Sequence, residues 1–271
     1  MSVSTRPLRL LSSTSNRTNL PLFVFLPGMD GTGKLLEPQQ AGLKSIFDVR
    51  CLSIPPDDLT GWDGLVEQIA GLLRKEKQRF PSRHIVLCGE SFGGCLALGL
   101  AVRHPPLFDR LILVNPASAA GRQPWLGWGA SFTQRLPGSL YRLSTFGLLP
   151  LLIASHRVPV VSQQALLAAM QSVSPPSAAW RLYLLSQFEI EKPALERIEQ
   201  PVLVLASGSD RLLPSVQEAR RLERHLPNSR TVLLPESGHA CLLEKEVKFG
   251  SILKSHNFLV DARKSDLALS R

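Results

Sequence analysis

With 271 residues, 44% of them hydrophobic and 20% charged, the chain is long enough to bury a core without staples and too balanced to be fibrous or disordered. The formal net charge of +9 comes from basic residues scattered along the chain, with no dense basic run and no nucleic-acid motif, which excludes nucleic acid as the expected partner. Cys51, Cys88, Cys95 and Cys241 lie in apolar runs without a CxxC pair and read as reduced, buried and structural, which favours a reducing compartment.

In chain order, MSVSTRPLRLLSSTSNRTN is rich in Ser, Thr and Arg and has no acid before Asp30. Residues 1–20 therefore read as a flexible leader, although the same composition suits an organelle transit segment. A cytoplasmic location is expected, with a plastid as the alternative. Six short apolar runs follow as strands: LFVFLP (22–27), FDVRCLSI (47–54), HIVLCG (84–89), RLILVN (110–115), PVLVLAS (201–207) and RTVLLPE (230–236). Their near-continuous hydrophobicity fits strands covered on both faces of a parallel sheet. Between the second and third, Trp62, Leu65, Val66, Ile69, Leu72 and Leu73 recur at helical spacing, with Thr60 and Asp63 spaced as a capping box.

The runs Phe92 to His104 and Val216 to Leu226 are also helical. Strand alternating with helix predicts a doubly wound α/β core over 21–116 and 196–260. Residues 117–195 break the alternation, with Trp125, Trp128, Trp180, several Pro and Gly and no good strand, and read as an inserted helical cap. That interval begins inside a stretch, from Arg110 to Phe188, without any acidic residue. The stretch carries Arg110, Arg122, Arg135, Arg142, Arg157 and Arg181, a pattern suited to an anionic membrane surface. LSTFGLLPLLIAS (143–155) is too short to span a membrane, and 261–271 reads as a tail.

Gly89-Glu90-Ser91-Phe92-Gly93 matches G-x-S-x-G directly after a strand and at the start of a helix. So sharp a turn strains its central residue and needs small neighbours, which Gly89, Gly93 and Gly94 supply. Ser91 is the candidate nucleophile and requires a base. Of the six histidines, His239 lies in the loop ESGHACLLE just past the last strand, where the chain returns to the sheet's C-terminal edge. Asp210, in SGSD after the preceding strand, is the candidate acid that orients the imidazole, with Glu236 as the rival. The chain order Ser91, Asp210, His239 is that of α/β-hydrolases. Oxyanion donors are expected from the backbone N–H of Phe92 and, in the loop LPGMDGTGK (26–34), from that of Met29. GMDGTGK lacks the spacing and final hydroxyl of a phosphate loop, and His104 with Asp109 reads as a structural helix-to-strand connection.

FLPGMDGTG, FDVRCLSIP, GESFGG, ASGSDRLLPS and ESGHACLLE together resemble the hydrolase part of the plastid phytyl ester synthases and their cyanobacterial relatives, an esterase/lipase/thioesterase-type family. The resemblance runs from about Leu22 to Glu244. It implies an α/β-hydrolase fold with a triad on Ser91, Asp210 and His239. The plant enzymes carry a further C-terminal acyltransferase-like domain that is not seen in this sequence, so the resemblance leaves transfer to phytol open. The expected activity is hydrolysis of carboxylic esters or thioesters of apolar acyl groups through an acyl-enzyme, with no metal or organic cofactor. One alternative is acyl transfer to a lipid alcohol such as phytol or a quinol; another is a non-catalytic binding protein on the same scaffold.

Overall fold

The structure is a computed structural model that describes residues 6–12, 17–123, 129, 133 and 137–260; Trp125, Trp128, Arg135 and the tail 261–271 lie outside the described residues. Seven strands form one sheet: β1 (Arg9–Ser12), β2 (Leu22–Leu26), β3 (Asp48–Ser53), β4 (Ile85–Glu90), β5 (Arg110–Val114), β6 (Val202–Ser207) and β7 (Ser229–Leu234). Their spatial order is β1-β3-β2-β4-β5-β6-β7, and only β1 is antiparallel.

Strand periodicity explains the layers. Leu22, Val24 and Leu26 face one way, into a core with Leu65, Ile69 and Leu96, whereas Phe23 and Phe25 face the other way, into a core with Phe47, Phe249 and Leu253. The first core is covered by α2 (Trp62–Arg79) and α3 (Phe92–Arg103), and the second by α1 (Glu37–Lys44) and α9 (Phe249–Ser255). The chain steps outward from β2 to β3 and then back across β2 to β4, which makes β2/β4 the switch point of the sheet. Loops leaving two such strands diverge and open a crevice at their C-terminal ends.

Between β5 and β6 lie α4 (Gly138–Leu152), α5 (Val160–Ser172), α6 (Pro175–Ser186) and α7 (Lys192–Glu196), with no strand among the described residues. The helix α8 (Ser215–His225) joins β6 to β7. Among the described residues no helix is long and apolar enough to cross a membrane.

Two expectations change. The segment 1–20 is not wholly irregular, because Arg9–Ser12 pairs with Arg50–Ser53 as an edge strand. The capping box at α2 does not form: Gly61 is the N-cap, and Thr60 donates instead, through N and Oγ1, to the Asp58 carboxylate at 2.9 and 3.0 Å. All four cysteines are free and buried.

Candidate active site

The elbow sits at the switch point. Ser91 adopts φ 52° and ψ −113°, a left-handed backbone at a non-glycine residue, between the end of β4 and the first turn of α3. Its N–H donates to Val114 O, and its own carbonyl accepts from Gly94 N and Ala117 N, so the strained turn is held on three sides. The flanking glycines are there for space. A Cβ at Gly89 would lie 2.3 Å from Gly93 O, one at Gly93 would lie 2.0 Å from Leu26 O, and one at Gly94 would lie 2.7 Å from Pro116 Cβ.

The structure brings Ser91, His239 and Asp210 into one line. Asp210 Oδ2 is 2.7 Å from His239 Nδ1, and His239 Nε2 is 2.8 Å from Ser91 Oγ. A carboxylate can only accept, so Nδ1 carries the proton and Nε2 is left to accept from the Ser91 hydroxyl. Asp210 also accepts from the amides of Leu212 and Leu213 and from the hydroxyl of Ser215. Burial opposes ionisation of Asp210, but the adjacent His239, these donors and the His239 N–H outweigh it and hold the carboxyl below the usual range. Burial likewise disfavours a charged His239, and Asp210 overcomes it, raising the imidazole above its ordinary value. The arrangement can pass a proton from hydroxyl to imidazole and stabilise the imidazolium that results.

The loop after β2 closes over this line. Gly28 lies against the serine, since a Cβ there would stand 3.9 Å from Ser91 Cβ. Gly31 N donates to Gly28 O at 3.0 Å and makes Gly28–Gly31 a tight turn with Met29 at its second position. Among the described residues, neither the Met29 nor the Phe92 amide has a protein acceptor.

The sequence decoys resolve as structural contacts. His104 Nε2 lies 2.7 Å from Glu67 Oε1, and Asp109 accepts from Ile85 N and pairs with His84 and Lys77. Glu236, the rival acid, is exposed and pairs with Arg157 at 2.8 Å rather than with His239. Among the described residues no group of His, Cys, Asp and Glu could hold a metal ion.

Several supporting residues escaped the sequence reading. Asn115, fully buried with φ 41°, donates through Nδ2 to His239 O and Ser207 Oγ, both at 2.7 Å, and accepts from Ser207 N. It ties the ends of β5 and β6 to the histidine loop. Glu244 accepts from Gly238 N and Ser237 Oγ and pairs with Arg157 at 2.7 Å, bracing the same loop from below. Glu90 is buried beside Ser91, and burial pushes its carboxyl up to about 8, against the opposing pull of His239. An Asn directly after a strand is a readable signal, since Asn tolerates positive φ; Glu90 and Glu244 carry none, because their roles come from burial and from loop contacts that no residue spacing marks.

With this geometry in view, the relatives are informative. Residues 57–246 match the family described as serine aminopeptidase, S33. Two chloroplastic phytyl ester synthases of Arabidopsis thaliana are 34% and 32% identical over 86% and 90% of the chain. The chain spans 36% and 38% of their lengths, so it matches little more than a third of these curated relatives. MenH from S. aureus superposes with a TM-score of 0.76 over 93% of this chain and 99% of that one, at 22% identity, and shares the fold. The chain belongs to the serine aminopeptidase S33 family: it is an α/β-hydrolase and a serine hydrolase-type enzyme that resembles the phytyl ester synthases.

Proposed function

We propose that this S33-family hydrolase forms an acyl-enzyme on Ser91 and cleaves carboxylic esters or thioesters of apolar acyl groups. The observation that carries the reading is the continuous Asp210–His239–Ser91 line at 2.7 and 2.8 Å. Ser91 Oγ attacks the carbonyl carbon while His239 Nε2 takes its proton; the Met29 and Phe92 amides receive the oxyanion. Collapse expels the alcohol or thiol, which leaves with the proton from His239. Water then enters, gives a proton to His239 and releases the acid, and Ser91 recovers its proton.

A second reading is favoured by the two phytyl ester synthases. If a lipid alcohol such as phytol takes the place of water at the second step, the same acyl-enzyme gives an ester instead of an acid. Both relatives are named chloroplastic, which supports the plastid side of the two locations read from the sequence. The inserted helices add a surface suited to apolar lipid: Leu143, Phe146, Val160 and Val161 are more than half exposed. The basic character read for this stretch is smaller than its arginine count suggests, because Arg157 pairs with three glutamates and Arg181 is buried.

The test is a chain-length series of acyl esters with and without phytol, with Ser91→Ala as control and a fluorophosphonate as active-site label. Free acid as the main product, lost in Ser91→Ala, supports hydrolysis. Phytyl ester in excess of free acid transfers the conclusion to the second reading. Equal labelling of wild type and Ser91→Ala refutes the site, and a wild type that takes up no label leaves a non-catalytic scaffold.

A further inference from the structure

Among the described arginines of the acid-free stretch, Arg181 is the most deeply buried. Arg181, in the middle of α6, is 2% exposed. Its guanidinium crosses to the sheet and grips the loops that follow two neighbouring parallel strands. Nη1 donates to Met29 O at 2.6 Å, after β2, and Nη2 donates to Pro55 O at 2.9 Å, after β3. A Cβ added at Gly31, whose φ is 69°, would come within 3.0 Å of Nη1, so the turn is packed directly against the guanidinium.

The turn it grips is the one that presents the Met29 amide. Gly28 C=O and Met29 N–H belong to one planar peptide unit and point in opposite directions. Gly28 O is held inside the turn by Gly31 N, and Gly31 O accepts in turn from Ile54 N at 2.8 Å. The amide of Met29 is thereby directed out of the turn. Arg181 secures the next peptide unit along, through Met29 O, so the two planes flanking Met29 are both anchored. Neighbouring bonds dock α6 on the same side: Trp180 Nε1 donates to Thr60 O at 3.1 Å, Trp62 Nε1 to Leu184 O at 2.9 Å, and Ser174 N to Pro56 O at 3.0 Å. These bonds fix the helix, and of the four only the Arg181 bond reaches Met29.

We infer that Arg181 is a positioning residue for the oxyanion site: anchored in the inserted α6, its guanidinium holds the Met29 peptide in the orientation that receives the developing oxyanion. The inference rests on the proposed role of the Met29 amide. It makes the rate of acyl-enzyme formation depend on the docking of α6, independently of any contact between the insertion and the acyl chain.

The experiment compares Arg181→Gln and Arg181→Lys with wild type on a short aryl ester, together with affinity for an arylboronic acid that forms a tetrahedral anion on the serine. Thermal melting establishes folding. In Arg181→Gln, kcat falls about 10- to 100-fold, less than or equal to the loss of a whole oxyanion donor, while KM moves by less than about 3-fold. Boronate affinity falls in parallel with kcat, and Arg181→Lys, which keeps the charge and one donor direction, recovers part of both. A folded Arg181→Gln with wild-type kcat overturns the inference, as does a loss confined to KM with boronate affinity intact. If Arg181→Gln does not fold, Arg181→Lys decides: an unchanged kcat overturns it, and a kcat loss at constant KM supports it.

Met29→Pro separates this inference from the reading beneath it. Proline suits the second position of a turn and deletes the amide donor, and Met29→Ala, which keeps the amide, controls for loss of the side chain packed on the core. If Met29→Pro loses kcat while the Arg181 variants keep theirs, the inference fails and the oxyanion reading stands. If Met29→Pro keeps kcat, the oxyanion reading fails and this inference with it.

Discussion

Replacing Glu90 by Gln changes one atom in the residue before the proposed nucleophile, and its effect on stability depends on pH in a way the site dictates. Glu90 is 6% exposed, and burial moves its carboxyl from the ordinary 4.5 to about 8. Between these values the native protein keeps a proton that the unfolded chain releases. Stability from this group is therefore present in full below the unfolded value and is lost as pH rises toward the folded one. Each pH unit within the window removes up to about 1.4 kcal/mol, so moving from about pH 5 to about pH 7 costs the wild type roughly 2–3 kcal/mol that Glu90→Gln does not lose. The assay is urea unfolding of both proteins at several pH values, read as the difference between them, in which titrating groups that do not interact with Glu90 cancel; His239 is coupled to it and contributes near its own titration. The amide adds a constant offset of either sign, and the slope of the difference carries the result. A difference that does not change with pH would show that Glu90 is ionised in the native site, and the argument from burial would fall. Activity at about pH 7 is largely retained in Glu90→Gln, because the wild-type carboxyl is mostly neutral there.

Two further outcomes follow from the same site. In Asp210→Asn the plateau of kcat/KM falls by about 10⁴, since the imidazole loses the acceptor that selects its tautomer. The acidic limb of the pH–rate profile moves to lower pH, because Asp210 is what raises His239 above its ordinary value; an unmoved limb would contradict that assignment. In Gly93→Ala the new methyl meets Leu26 O at 2.0 Å, a backbone atom that cannot swing aside. The variant is destabilised by about 3 kcal/mol or more and loses fluorophosphonate labelling, as measured by melting and by the rate of label incorporation.

How much of this was legible in the sequence depends on where the partners lie. β2 to β6 were readable because a parallel strand covered on both faces is apolar at nearly every position, as in LFVFL and VLVLAS, whereas β7, an edge strand with no buried residue, was readable only from its apolar run TVLL. β1 was not, because RLLS is an edge strand with mostly exposed side chains, and among serines and arginines it has no such run. α1 was missed for a related reason: in EPQQAGLK the buried residues are Leu43 and Gln39, and Gln39 earns its place by bonding Leu242 O, Val247 O and Phe249 N across the chain. The elbow and the order Ser91, Asp210, His239 were legible because strain at a turn needs glycines at fixed offsets. Asn115, Glu244 and Arg181 act on groups more distant or unrelated in pattern, and arginines in an acid-free stretch look like a solvated basic face. Two of them instead turn inward, to backbone carbonyls and to glutamates contributed by later parts of the chain.

That inward turn changes what the insertion is for. The loop after β2, proposed to receive the oxyanion, is bonded by Arg181, and the histidine loop is bonded by the end of α4 and the segment that follows it. Ala240 N donates to Leu152 O at 2.8 Å, Lys245 N to Arg157 O at 3.1 Å, and a Cβ at Gly238 would meet Ala154 N at 2.7 Å. Arg157 then neutralises Glu244, which receives the Gly238 amide. Without these partners Met29 O, Pro55 O, Ala240 N and the Glu244 carboxylate would each lose a bond in or beside a water-poor site, and each such loss costs about 1–3 kcal/mol. The core strands can place Ser91, Asp210 and His239 near one another, but the two loops that complete the constellation take their final positions from helices outside the sheet. A cap that only covered the acyl group could be loosened without touching the chemical step. On the proposed roles of Met29 and His239, an insertion bonded to both loops is coupled to the chemical step, and displacement of α6 or of the end of α4 is expected to lower kcat as well as to alter substrate entry.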